Sequence, residues 1–162
     1  FRVPPPDRAR ISKYLFGGFS RCLYPVQKFQ SDPERQMAVI LERDSIKWFR
    51  PALGQFQIFY KRGHEHPEYQ PDFVAEAADV IYMIEVKAEN ELNHPEVVAK
   101  RDVAVLWCAN ASEYTASYDG KPWRYLLIPH GAAVQNATLP YLAQQHVQTP
   151  APTRHQPHNV VT

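Results

Sequence analysis

Residues 80–88, Val-Ile-Tyr-Met-Ile-Glu-Val-Lys-Ala, constrain the fold more than any other segment. Read as a strand, they put Val80, Tyr82, Ile84 and Val86 on one face and Ile81, Met83, Glu85 and Lys87 on the other. A strand that is apolar on both faces belongs in the middle of a sheet covered on both sides. Glu85 and Lys87 are thereby carried to a place where a lone charge costs several kcal/mol unless it is paired or bound to a metal.

A second carboxylate comes from upstream. Tyr69-Gln70-Pro71-Asp72-Phe73 opens a strand expected over 69–76, and Glu85 follows Asp72 by thirteen residues. Hairpin pairing symmetric about the break at Ala77-Ala78-Asp79 sets Asp72 opposite Glu85, with Cβ atoms about 5 Å apart. Lys87, two residues beyond Glu85, projects from the same face. The turn lacks the Asn-Gly or Asp-Gly of a tight hairpin, so a loop of odd length would shift this register. Two carboxylates that converge with an ammonium suit metal-dependent phosphodiester hydrolysis. Oxygen ligands hold a hard cation such as Mg²⁺, and the ammonium orients or activates the attacking water. The other reading of these residues is solvated surface charge.

The chain has 162 residues, 44% apolar and 22% charged, the proportions of one ordinary globular domain. No apolar run approaches the roughly 18 residues of a membrane span, and no signal-peptide pattern opens the chain. The net charge of +1 leaves nucleic-acid contact to local patches. Cys22 and Cys108, far apart and in unlike contexts, read as free thiols, and the expected location is cytoplasmic. The start, without methionine and running Val3-Pro4-Pro5-Pro6-Asp7, reads as a linker over 1–13 that joins a longer polypeptide.

A helix is expected over 31–43, opened by a capping box of Ser31 and Glu34 with Pro33 in the first turn, and striped by Met37, Ala38, Ile40 and Leu41. Strands follow at 46–49 and 56–61, then the hairpin. Asn93-His94-Pro95-Glu96 opens a long helix to about residue 117. Asn93 and Glu96 are its expected cap pair, and Ala99, Val103, Leu106, Trp107 and Tyr114 its packed face. A strand over 123–129 and a helix over 139–146 precede a tail, flexible from 148 to 162. The order predicts an α/β fold with a central mixed β-sheet flanked by helices, its globular domain spanning 14–147.

Two further residues are candidates. Glu34 lies on the inward face of its helix as a third acid near the site, or serves only the cap with Ser31. Lys100, one turn into the long helix, reaches a phosphate beside the site, or is a solvated helix charge. His64, His66 and His94 make a poor zinc set, because the first two flank a turn at Gly63 and no cysteine accompanies them. No phosphate-cradling G-x-x-x-x-G-K-[ST] loop and no nucleophile elbow occurs.

Asp72, Glu85 and Lys87 match the PD-(D/E)xK nuclease signature. Over about 14–140 the chain resembles the C-terminal endonuclease domain of type III restriction enzyme Res (helicase/nuclease) subunits. The similarity runs through Lys28-Phe29-Gln30-Ser31-Asp32-Pro33-Glu34-Arg35, Lys47-Trp48-Phe49-Arg50-Pro51, Tyr69 to Val74, Ile84-Glu85-Val86-Lys87-Ala88, Ala99-Lys100, Trp107-Cys108 and Lys121-Pro122-Trp123. The resemblance implies a restriction-endonuclease-like core and Mg²⁺-dependent cleavage of double-stranded DNA, with Mn²⁺ as a substitute cofactor. It also implies an upstream ATP-driven helicase region in the same chain, a partner methyltransferase subunit and a prokaryotic cytoplasm. Asp72 and Glu85, with the main-chain carbonyl of Val86, would bind the metal; Lys87 would position the water. A non-catalytic nucleic-acid-binding or assembly module of a helicase is the alternative.

Overall fold

A computed structural model describes residues 1–150. In chain order they form a 3₁₀ segment (Arg8–Lys13), β1 (Phe16–Gly17), β2 (Val26–Gln27), α1 (Asp32–Asp44), β3 (Lys47–Phe49), β4 (Ile58–Phe59), β5 (Glu68–Tyr69), β6 (Phe73–Glu76) and β7 (Ile81–Lys87). A short 3₁₀ turn (Glu89–Glu91) leads to α2 (Pro95–Ala116), β8 (Trp123–Pro129), a second such turn (His130–Ala132), α3 (Leu139–His146) and β9 (Val147–Gln148). The centre is a five-stranded mixed sheet in the order β3-β6-β7-β8-β9, flanked by helices as the sequence predicts.

β7 is the middle strand. It pairs antiparallel with β6 and parallel with β8, the parallel pair being joined by the α2 crossover that such pairing requires. The hairpin register is the one expected, with Phe73 opposite Ile84 and Glu76 opposite Ile81. Four residues, 77–80, make the turn, closed by Ala77 N–H on the Val80 carbonyl at 2.9 Å. Both faces of β7 are covered. Ile84 and Val86 join Trp48, Phe73, Leu126 and Ile128 in a core beneath α1 and α3. Met83 joins Tyr69, Tyr125, Leu127, Val97 and Val105 in a second core beneath α2.

Local chemistry sets the helix ends. The Ser31 hydroxyl accepts the Glu34 N–H and Pro33 sits in the first turn of α1, whose Met37, Ala38, Ile40 and Leu41 are fully buried. In α2 the cap is His94, not Asn93. Pro95 holds the residue before it in an extended conformation, and His94 Nδ1 then accepts the Glu96 N–H at 3.2 Å. The packed face of α2 also differs from expectation. Val97, Ala104, Val105 and Cys108 are buried, whereas Leu106 and Tyr114 stand out in solvent. Apolar residues surround this helix, so no single stripe marks its inner side.

Three strand boundaries are corrected as well. The strand expected over 69–76 is interrupted at 70–72, where Pro71 can donate no ladder bond. Tyr69 instead pairs with Ile58 in a separate two-stranded ribbon, β4-β5. That ribbon is all that forms of the strand expected over 56–61. The tail expected from 148 begins later, since Val147 and Gln148 pair with β8; residues 151–162 of that tail lie outside the described residues. The segment read as a linker puts Ile11 into the first core. Among the described residues, no helix is long and apolar enough to cross a membrane.

Ile84 is completely buried between β6 and β8. Ile84→Ala is expected to cost about 2–5 kcal/mol in urea unfolding, and a loss under about 1 kcal/mol would contradict the central placement of β7.

Candidate active site

β6 starts at Phe73, while β7 continues to Lys87. Beyond Ile84, the edge of β7 that faces β6 has therefore lost its ladder partner. Asp72, one residue before β6, fills that gap, its Oδ2 accepting the Val86 N–H at 2.8 Å. The N–H and C=O of one strand residue point to the same side, so the Val86 carbonyl looks toward the same gap. Extending the register by one residue sets Asp72 opposite Glu85 at a non-hydrogen-bonded position, where side chains come closest. The site thus lies at the C-terminal end of the central strand, just before the chain enters α2.

The two carboxylates are poorly solvated. The Glu85 side chain is 9% exposed and that of Asp72 19%. Burial first, then the charges of Glu85 and Glu34, push the Asp72 carboxyl well above the usual carboxylate range, against the opposing pull of the Val86 N–H and Arg50. Burial also raises Glu85, and Lys87, the Tyr69 hydroxyl and Lys100 oppose it. Lys87 Nζ lies 3.4 Å from Glu85 Oε1. Burial pulls the Lys87 ammonium down, but Glu85 and Asp72 outweigh it and its value ends above that of an ordinary lysine. At neutral pH it is a firm cation.

Glu34 takes part in the cap, its side chain meeting the Ser31 hydroxyl at 3.4 Å rather than the Ser31 N–H. Its N–H caps onto Ser31, and its carboxylate takes the Gln30 N–H at 3.1 Å and the guanidinium of Arg50 at 2.8 Å. Arg50 in turn lies 3.7 Å from Asp72 Oδ1 and donates to the Asp72 carbonyl at 3.3 Å, its guanidinium over the rings of Phe29 and Phe73. Glu34 therefore meets Asp72 both by its own charge and through the arginine they share. Lys100 does not reach the pair directly. It is bound to Glu96 at 3.1 Å and sits over the Tyr60 ring, in a cavity of about 220 Å³ that Lys87 also lines. Hydrogen bonds from Tyr60 and Lys100 hold the Glu96 carboxyl down to about 2.

Sequence reasoning missed Arg50 and Tyr69 as site residues. The Tyr69 hydroxyl lies 3.0 Å from Glu85 Oε2 and 3.3 Å from the hydroxyl of Tyr125, all three groups buried. The available signal was their placement, Tyr69 three residues before Asp72 and Arg50 directly after an apolar strand. His64 and His66 lie exposed on a turn, and Cys22 and Cys108 are free thiols.

Taken together, Glu34, Asp72 and Glu85 face Arg50 and Lys87: three carboxylates against two cations, leaving one negative charge in excess. Among the described residues, no group of three or more His, Cys, Asp or Glu side chains is arranged as a metal cage. Asp72 stands opposite Glu85 in the extended register and the Val86 carbonyl lies on the same strand edge, so the donors on offer are two carboxylates and one main-chain carbonyl. All are oxygens, and that donor set suits a hard cation that keeps several of its own waters. No protein-family model matches the chain, and no curated protein matches it.

A carboxyl whose value in the folded state lies above its unfolded value stabilises the fold at low pH and loses that contribution as pH rises through the folded value. Metal-free Asp72→Asn, which keeps an acceptor for the Val86 N–H, is therefore expected to melt higher than the parent near neutral pH. Each kcal/mol gained is worth about 2–4 °C. The gain should fade as pH falls toward about 4, where both chains are neutral at this position. A variant that melts lower near neutrality would contradict an Asp72 carboxyl held up by burial and by its like-charged neighbours.

Proposed function

We propose that this chain is a metal-dependent DNA endonuclease domain of restriction-endonuclease-like build that hydrolyses phosphodiester bonds. In this reading it is the nuclease part of a type III restriction helicase/nuclease subunit. The observation that carries the reading is the excess of carboxylates at the end of β7, where Glu34, Asp72 and Glu85 stand against Arg50 and Lys87 alone. A divalent cation removes that excess, and the oxygen donors of Asp72, Glu85 and Val86 are those it prefers. The likeness of the surrounding segments to the Res endonuclease domain, with Lys87 at the position of the signature lysine, adds independent support.

Mg²⁺, when bound, supplies Lewis acidity and a water of lowered pKa. The protein's own residues do the rest. Asp72 and Glu85 hold the cation's place at one end of the sheet, and Arg50 fixes Asp72 from the side of α1. Lys87, a retained cation within reach of Glu85, orients the attacking water and steadies charge that develops on the phosphate. Lys100, beside it across the small cavity, contacts a neighbouring phosphate of the strand once it lets go of Glu96. Double-stranded DNA is the substrate in this reading. An upstream ATP-driven motor in the same polypeptide and a methyltransferase subunit are the partners, in a prokaryotic cytoplasm.

The net charge of +1 favours a second reading, a non-catalytic nucleic-acid-binding or assembly module of a helicase, because an independent DNA binder carries a basic excess. A nuclease tethered to a motor has no such need, since the motor delivers the DNA.

Plasmid nicking in Mg²⁺ separates the two. Lys87→Ala is expected to lower the rate about 10²–10³-fold with the fold intact, as for loss of one group that stabilises transition-state charge. Asp72→Ala should abolish nicking. Glu34→Gln, which preserves the cap but weakens the hold on Arg50, should slow it at least about tenfold. Full activity in Asp72→Ala or Lys87→Ala would rule out this site.

A further inference from the structure

Beneath Glu85 lies a pair of buried phenols that the proposed hydrolysis does not use directly. Tyr69 and Tyr125 are 2% and 1% exposed, inside an otherwise apolar core with Met83, Val97, Val105 and Leu127. Phenylalanine would fill that space without the cost of burying a hydroxyl. The Tyr69 hydroxyl touches two oxygens, Glu85 Oε2 at 3.0 Å and the Tyr125 hydroxyl at 3.3 Å. It has one proton to give, and the carboxylate is the stronger acceptor and the nearer one. The Tyr125 hydroxyl, 3.3 Å behind, completes a hydrogen-bonded row of two phenols that ends on Glu85.

Both oxygens of Glu85 are thereby assigned, Oε2 to Tyr69 on the inside and Oε1 to Lys87 at 3.4 Å on the outside. The route by which Tyr69 arrives is also informative. It belongs to the β4-β5 ribbon rather than to the main sheet, and the same ribbon brings the Tyr60 hydroxyl to Glu96 at 2.7 Å. Tyr69 thus reaches Glu85, the partner of Lys87, while Tyr60, the residue after β4, reaches Glu96, which lines the small cavity with Lys87 and Lys100.

We infer that Tyr69 is a positioning residue for this site, its hydroxyl, backed by Tyr125, locking the Glu85 carboxylate in the one orientation that presents it to a divalent cation. This rests on Glu85 being a metal ligand, and the β4-β5 ribbon is the brace that delivers the lock. Outer hydrogen bonds of this kind fix the ligand that a metal meets, and their loss weakens metal binding about 10–100-fold.

The test uses the whole chain with Mn²⁺ as the probe, read by calorimetry, together with metal-free crystal structures of the parent, Tyr69→Phe and Tyr125→Phe. Tyr69→Phe is expected to raise the Mn²⁺ dissociation constant about tenfold or more, with nicking recovered at raised metal. In its metal-free structure Glu85 leaves its single rotamer. Tyr125→Phe, one bond further back, should shift both readouts in the same direction by less, and it carries the test if Tyr69→Phe fails to fold. An unchanged Mn²⁺ affinity with Glu85 in its original rotamer overturns the inference. A parent chain that binds no Mn²⁺, while Glu85 still loosens in the variants, overturns the metal reading of the site and leaves the positioning role of Tyr69 standing.

Discussion

Like charges held close together where water barely reaches repel one another strongly, and the end of β7 holds Asp72 against Glu85 under those conditions. Much of the surrounding structure serves to make that tolerable. The Val86 N–H takes one oxygen of Asp72, Arg50 approaches the other, Tyr69 takes one oxygen of Glu85 and Lys87 the second. The pair exists because β6 begins at Phe73, opposite Ile84, and leaves the last three residues of β7 uncovered on that edge. The stagger exposes a main-chain donor and a main-chain acceptor at the point where the two carboxylates meet.

Each layer of the fold contributes one group to this place. Beneath the sheet, α1 sends Glu34 by way of Arg50, whose guanidinium lies beside the Glu34 and Asp72 carboxylates and over the rings of Phe29 and Phe73. Above it, the start of α2 brings Lys100 and Glu96 alongside Lys87. From the side, the β4-β5 ribbon inserts Tyr69. Loss of Arg50 would therefore act on two carboxylates at once. An arginine in such a half-buried cluster has large effects when removed, because it leaves charges uncompensated rather than because its contacts are individually strong.

The amino-acid pattern carried the centre of this arrangement further than its periphery. The two-sided apolar character of 80–86 located the middle strand, and a hairpin register centred between residues 78 and 79 is the one that, carried one residue further, brings Asp72 to Glu85. Both rest on period-two geometry, which a short sequence displays directly. Arg50 and Tyr69 were illegible as site residues because their roles arise from contacts between elements remote in sequence, 22 residues for Arg50 to Asp72 and 16 for Tyr69 to Glu85. Leu106 and Tyr114 were misplaced because α2 is apolar on all sides, and only the presence of β4 and β8 decides which side is covered. At His94 the proline that follows decided the cap, overriding the usual preference for asparagine.

The central claim is that the end of β7 is a cation site made by Asp72 and Glu85. Thermal unfolding across a series of Mg²⁺ or Mn²⁺ concentrations tests it most directly, because a ligand that binds only the folded chain stabilises it in proportion to the logarithm of its excess. The expected midpoint climbs with metal in the parent chain and stays flat in Asp72→Asn. A parent midpoint that ignores millimolar metal even with DNA present, or an equal climb in the variant, would contradict it.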